Sequence, residues 1–291
     1  MHQAIQNPVL RFMVHGHLVL ALGAAAQVWW IGEEWFVEWS LIRSAVAFFA
    51  TFACYGLLRL VRSREEGLGD VPLFAWYLAH QKAMLIAVVV SALLALMALG
   101  AEVLEALSRL WLVVVPALLY VVPLRGKDGR LHGLRRIPAL KSFLVAWVWA
   151  AGTVLLAADG AQGMAWLLLI VFFCFYLALA IAFDLRDARV DPLSLRTVPQ
   201  LLGQRAAKAM ALLLLLPLVV LLYASLFFSG IRGDAGARPD TDWTLALPLI
   251  GLAMPAWFIL RSNPKRGWFH WLLLDACIAL LPVLAWVGSC L

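Results

Sequence analysis

Three aspartates, Asp184, Asp187 and Asp191, stand where the uncharged run of residues 160–183 gives way to a polar segment. On a continuing helix they fall at i, i+3 and i+7, so their carboxylates project from one face. Hard oxygen ligands of this kind suit Mg²⁺, which takes one or two carboxylates and completes its octahedron with water and substrate phosphate. Asp184, Asp187 and Asp191 are therefore the expected metal ligands, with Asp184 either a third ligand or an acid standing behind the other two. Pro192 restricts the residue before it, so the helix is expected to end at Asp191, which can then swing off the shared face. The alternative for the same acids is an exposed helix end in which they pair with Arg186, Arg189 and Arg196.

The scaffold that must position these acids is set by composition. Hydrophobic residues make up 64% of the chain and charged ones 14%, far from the usual soluble mixture of about half apolar and a quarter charged. The chain reads as one all-α integral membrane domain over residues 1–291. Apolar stretches long enough for the ~20 residues of a span centre on 12–32, 41–60, 83–101, 106–124, 140–158, 163–183, 209–230, 243–260 and 270–288, giving about nine transmembrane helices. Lys and Arg collect on the cytoplasmic side of membrane proteins. With the N-terminus inside, all of the 23 basic residues except Arg43, Arg109, Arg232 and Arg238 fall on that side. The longest connections, 61–81, 125–139 and 184–208, are cytoplasmic too, so chemistry is expected at that mouth. A multi-pass protein of the plasma (inner) membrane is the expected location.

Several function classes are disfavoured. The net charge of +6 follows from topology and anionic lipid, and no soluble basic domain exists to bind a nucleic acid. Cys54, Cys174, Cys277 and Cys290 lie within expected spans without a CxxC spacing, as apolar fillers rather than a disulfide or zinc framework. His15, His17, His80, His132 and His270 show no paired spacing for haem ligation and read as hydrogen-bonding rings. The 14 Trp read first as interfacial belts and lipid-facing bulk. A weak basic n-region and a long apolar stretch favour a retained first span over a leader cleaved near Ala24-Ala25-Ala26. No repeat relates the two halves, which argues against a transporter.

The segment Asp187-Ala-Arg-Val-Asp191, with Leu195-Arg196-Thr197-Val198-Pro199-Gln200-Leu201-Leu202-Gly203 after it, resembles the second aspartate motif of the UbiA superfamily of intramembrane prenyltransferases. Tyr120-Val-Val-Pro123-Leu-Arg125-Gly-Lys127 is similar to that family's Y-x-x-P-x-R-x-K stretch. Asp275 matches an acid often found near the start of its last span. The resemblance implies the UbiA-type helical bundle and Mg²⁺-dependent transfer of an isoprenyl group from its diphosphate to a lipophilic, even aromatic, acceptor in the membrane. It would place Arg125, Lys127 and Arg196 on the diphosphate oxygens, Tyr120 and Asp275 at the site, and Tyr or Trp faces beside an allylic cation.

The family's first motif, NDxxDxxxD at the end of the second span, should fall near Cys54–Arg62, where this chain has no Asn or Asp. Glu65, Glu66 and Asp70 follow in the next loop without the motif's spacing. Two functions are therefore carried forward: a prenyltransferase with a rebuilt first site, and a non-catalytic relative that binds an isoprenoid lipid or a membrane partner.

Overall fold

The computed structural model describes residues 8–36, 41–64, 72–100, 110–117, 123–125, 131–133, 137, 140–158, 162–187, 196–227, 243–263 and 268–291. The chain is a helical multi-pass membrane protein. Among the described residues, seven helical segments are long and apolar enough to cross a membrane: Leu41–Arg62, Gln81–Leu99, Leu140–Ala157, Gly163–Leu185, Val198–Phe227, Trp243–Arg261 and Leu272–Ser289. The bent pair Val9–His15 and Leu18–Phe36 makes an eighth if it is counted as one span. Each of these corresponds to an expected span. Of the ninth, 106–124, the described residues are 110–117, which are helical, and 123–124, which belong to a strand and cut the expected span short.

In chain order the helices are α1 (Pro8–His15), α2 (Leu18–Ile31), α3 (Leu41–Arg62), α4 (Pro72–Ala79), α5 (Gln81–Leu99), α6 (110–117), α7 (Leu140–Ala157), α8 (Gln162–Asp187), α9 (Val198–Leu213), α10 (Leu216–Phe227), α11 (Trp243–Gly251), α12 (Ala253–Arg261) and α13 (Trp268–Ser289). Their backbones bond internally, as lipid demands of any spanning segment. The breaks have local causes. His17 adopts a left-handed conformation, φ 56°, and α1 meets α2 at 59° there. Gly203, at φ 80° and ψ 162°, kinks α9 in a conformation only glycine adopts without strain.

Two expectations about the connections are corrected, and a third connection gains detail. The polar stretch 184–208 is not loop throughout, because α9 begins at Val198. Thr197 stands at its N-cap, with its backbone N–H donating to Gln200 Oε1 at 2.9 Å, and Pro199 sits in the first turn, where an N–H is not needed. Within 61–81, α4 precedes α5. The connection 125–139 holds half of a short ribbon among its described residues: β1 (Pro123–Arg125) and β2 (Leu131–Gly133) pair antiparallel, with Leu124 opposite His132. Pro123 and the glycines 126, 129 and 133 disfavour helix across this stretch.

Packing contacts trace a closed circuit of α2, α7, α8, α10, α11 and α13, with α3 against α2 and α5 against α3. One hydrophobic core unites the circuit, including Trp30, Phe172, Phe175 and Leu222. A smaller core joins Ala21, Phe52, Ala53, Tyr77, Met84 and Val88 of α2 to α5. Trp111, Trp166, Trp243, Trp257 and Trp286 are exposed, in keeping with the reading of tryptophan as lipid-facing bulk, whereas Trp30, Trp35 and Trp149 are buried and depart from it. These rings fill interhelical space, where aromatic area packs most effectively.

Candidate functional site at the basic end of the bundle

The antiparallel hairpin of α7 and α8 brings the start of one helix to the end of the other. Asp184 lies near the end of α8 with its side chain almost fully buried, at 3% exposure. Its Oδ1 is 3.2 Å from Lys141 Nζ on the first turn of α7, and its Oδ2 accepts a hydrogen bond from Ser142 Oγ. Burying a carboxylate is costly unless a cation and hydrogen bonds replace its water. Lys141 and Ser142 supply both, and the first turn of α7 adds the positive end of a helix dipole.

Deeper in the bundle lies a layer of polar-edged aromatic rings. Trp149 Nε1 on α7 donates to Tyr55 Oη on α3 at 2.9 Å. Trp149 also lies 5.4 Å, centroid to centroid, from Tyr176 on α8. Tyr176 Oη donates to Thr153 Oγ1 at 3.4 Å, and Thr153 in turn donates to the Trp149 carbonyl at 2.8 Å. The His17 ring sits 5.4 Å from Tyr55 and stacks on Tyr77 at 6.3 Å. Tyr77, on α4 and outside the membrane-spanning segments, is fully buried, and burial pushes its phenol pKa up so that it stays neutral. On α3, one and two turns beyond Tyr55, the guanidinium groups of Arg59 and Arg62 lie 5.6 and 5.4 Å from the Phe74 ring centre. These are cation–π contacts.

The sequence-derived residues divide as follows. Asp184 is buried and ion-paired. Asp187 is the last residue of α8, and Arg125 the last of β1, each described through its backbone. Arg196 is exposed, with φ 43°, just ahead of the α9 cap. Asp275 is half-buried in α13. Asp191, Lys127, Tyr120, Glu65, Glu66 and Asp70 lie outside the described residues. Among the described residues no group of three His, Cys, Asp or Glu side chains could hold a metal ion.

Sequence reasoning missed Lys141 and Ser142 as partners of Asp184, and the Tyr55–Trp149–Tyr176 layer altogether. A signal for the first existed: opposite charges bracket a helical hairpin, Lys141 at its start and Asp184 near its end. Nothing in the spacing of Tyr55, Trp149 and Tyr176 links them, since they come from three helices. No protein-family model, no curated protein and no solved structure matches this chain.

Proposed function

We propose that the chain is an intramembrane prenyltransferase acting at the basic end of the bundle on an isoprenyl diphosphate and a lipophilic acceptor. The observation that supports this reading best is the stacked arrangement of a buried, cation-paired Asp184 between α7 and α8 and, deeper in the bundle, a Tyr55–Trp149–Tyr176 layer where α3 joins them. In such a transfer the C1–O bond of the allylic diphosphate breaks and its electron pair leaves with the diphosphate. The acceptor forms the new bond to C1 and releases a proton. Cationic side chains stabilise the departing oxygens, and ring faces stabilise the carbocation while excluding water.

Both oxygens of Asp184 are engaged by Lys141 and Ser142, so the carboxylate fits a positioning role for Lys141 better than that of an open metal ligand. The proposal accordingly assigns Mg²⁺ to Asp187 and Asp191, where it would neutralise the leaving diphosphate. Arg125, Lys127 and Arg196 are assigned to the same phosphate oxygens, and Tyr120 and Asp275 to the acceptor side.

A second reading, an isoprenoid-binding protein without turnover, has its own observation. Arg59 and Arg62 stand at the end of α3, where the resembled family carries metal-binding acids. Guanidinium groups bind phosphate but ligate no metal.

Diphosphate release by the purified chain in lipid, with mixed isoprenyl diphosphates and a lipid extract, separates the two readings. Release that requires Mg²⁺ and is lost in Asp187→Asn is the expected result. Bound isoprenoid without release, equal in the wild type and the variant, would overturn the enzymatic reading in favour of the second.

A further inference from the structure

A cavity of about 250 Å³ opens between the basic ends of α3 and α5. Leu57, Leu60, Val61 and Leu85 wall it, and Arg64 and Gln81 stand at its mouth. Its position follows from helix packing. Gly56 lets the two helices approach so closely that a Cβ there would come within 2.6 Å of Val88 Cγ2. One turn closer to the basic end the leucines at 57, 60 and 85 leave a notch between the helices. Leu57, Val61 and Leu85 are each about half exposed, so the notch faces the surrounding lipid.

The chemistry at the mouth is cationic. Arg64 lines the mouth and is exposed, the Gln81 amide, with its oxygen turned toward Arg64, accepts from the guanidinium, and Lys82, the next residue after Gln81, is exposed beside the cavity without lining it. Among the described residues no carboxylate pairs with Arg64 or Lys82. An apolar notch with cations at its interfacial end matches one occupant, a diacyl lipid with an anionic phosphate headgroup. Basic pockets between spans on the cytoplasmic side bind such headgroups.

We propose that this notch is a specific site for an anionic phospholipid, with one acyl chain between α3 and α5 and the phosphate at Arg64 and Lys82. The site is separate from Asp184 and does not depend on the prenyl-transfer reading. Its test is binding to the full-length chain, stripped of lipid in detergent, by native mass spectrometry and thermal unfolding. The probes are phosphatidylglycerol, phosphatidylcholine and inorganic phosphate.

Phosphatidylglycerol is expected to remain bound and to raise the unfolding temperature, and the other two to do neither. Arg64→Gln and Lys82→Gln should each weaken it about fivefold. Val61→Trp, which fills the notch and keeps the cations, should abolish retention, while Val89→Trp on the lipid face of α5 should not. Equal retention of phosphatidylcholine would overturn the headgroup assignment. Displacement by phosphate alone would overturn the lipid assignment, and unchanged binding in Val61→Trp would overturn the notch. If Val61→Trp does not fold, the charge variants decide, since undiminished binding in both overturns the site.

Discussion

Helices α5 and α8 have nearly the same mean hydropathy over their spanning windows, 2.5 and 2.7, yet 22% of the first and 67% of the second is buried within the protein. One turns most of its surface to lipid and the other forms the middle of the core. Lipid tails are as apolar as leucine, so hydropathy drives a helix into the membrane but not against another helix. Association depends on close packing and on hydrogen bonds between helices. Helix α8 offers both, with Ala178, Ala180 and Ala182 beside Phe172, Phe175 and Tyr176, and with Asp184 bonded to α7. Helix α5 contacts α3 through a narrow strip of Met84, Val88, Ser91 and Ala95 and exposes Ile86, Leu93 and Met97.

The largest effect that would sharpen this contrast is removal of one member of the α7–α8 charge pair. Lys141→Met leaves Asp184 buried without its cation and should destabilise the protein by about 3 kcal/mol, whereas Lys141→Met with Asp184→Leu should recover most of the loss. Reversible unfolding in mixed micelles checks both, and an additive double variant would break the pairing argument. By the same assay, Phe172→Ala in α8 should cost about 3 kcal/mol through the cavity it leaves. Ile86→Ala on the lipid face of α5 should stay within about 0.5 kcal/mol. Similar losses at the two positions would erase the distinction between a central and a peripheral helix.

The contact between α3 and α5 runs along the length of both helices and is close-packed at Gly56. Gly56→Leu forces Val88 aside and should cost about 1–3 kcal/mol, while Gly163→Ala, with nothing within 4 Å of the new carbon, should cost nothing measurable. The smallest expected effect lies in the aromatic layer. Trp149→Phe removes the N–H donated to Tyr55, and a double-mutant cycle with Tyr55→Phe should give a coupling of about 0.6 kcal/mol, the usual worth of a hydrogen bond between spans. A coupling of zero would detach α3 from the layer.

Much of the architecture was legible in the sequence because the bilayer imposes a length and a composition on every span. Eight of the nine expected spans, from 12–32 to 270–288, meet a helix or bent helix pair at matching residues. The short ribbon of β1 and β2 was not legible, since it comes from a charged, glycine-rich connection that periodicity does not describe. Nor was the early start of α9, because Thr197 and Pro199 read equally as loop residues until a helix follows them.

For the site, residue types alone pointed to Asp184 and to the basic end of the bundle. They could not say that Lys141 and Ser142 would take up the Asp184 carboxylate, or that Trp149, out of 14 tryptophans, would be the one bonded to Tyr55 and packed on Tyr176. The sequence by itself determined that the chain lives in a membrane, where its spans lie and which loops are basic. These follow from transfer between water and lipid, a property of each segment taken alone. Only the tertiary structure decided which spans are central, which charge is paired and where a notch opens, because these depend on how side chains from separate helices fit at close range.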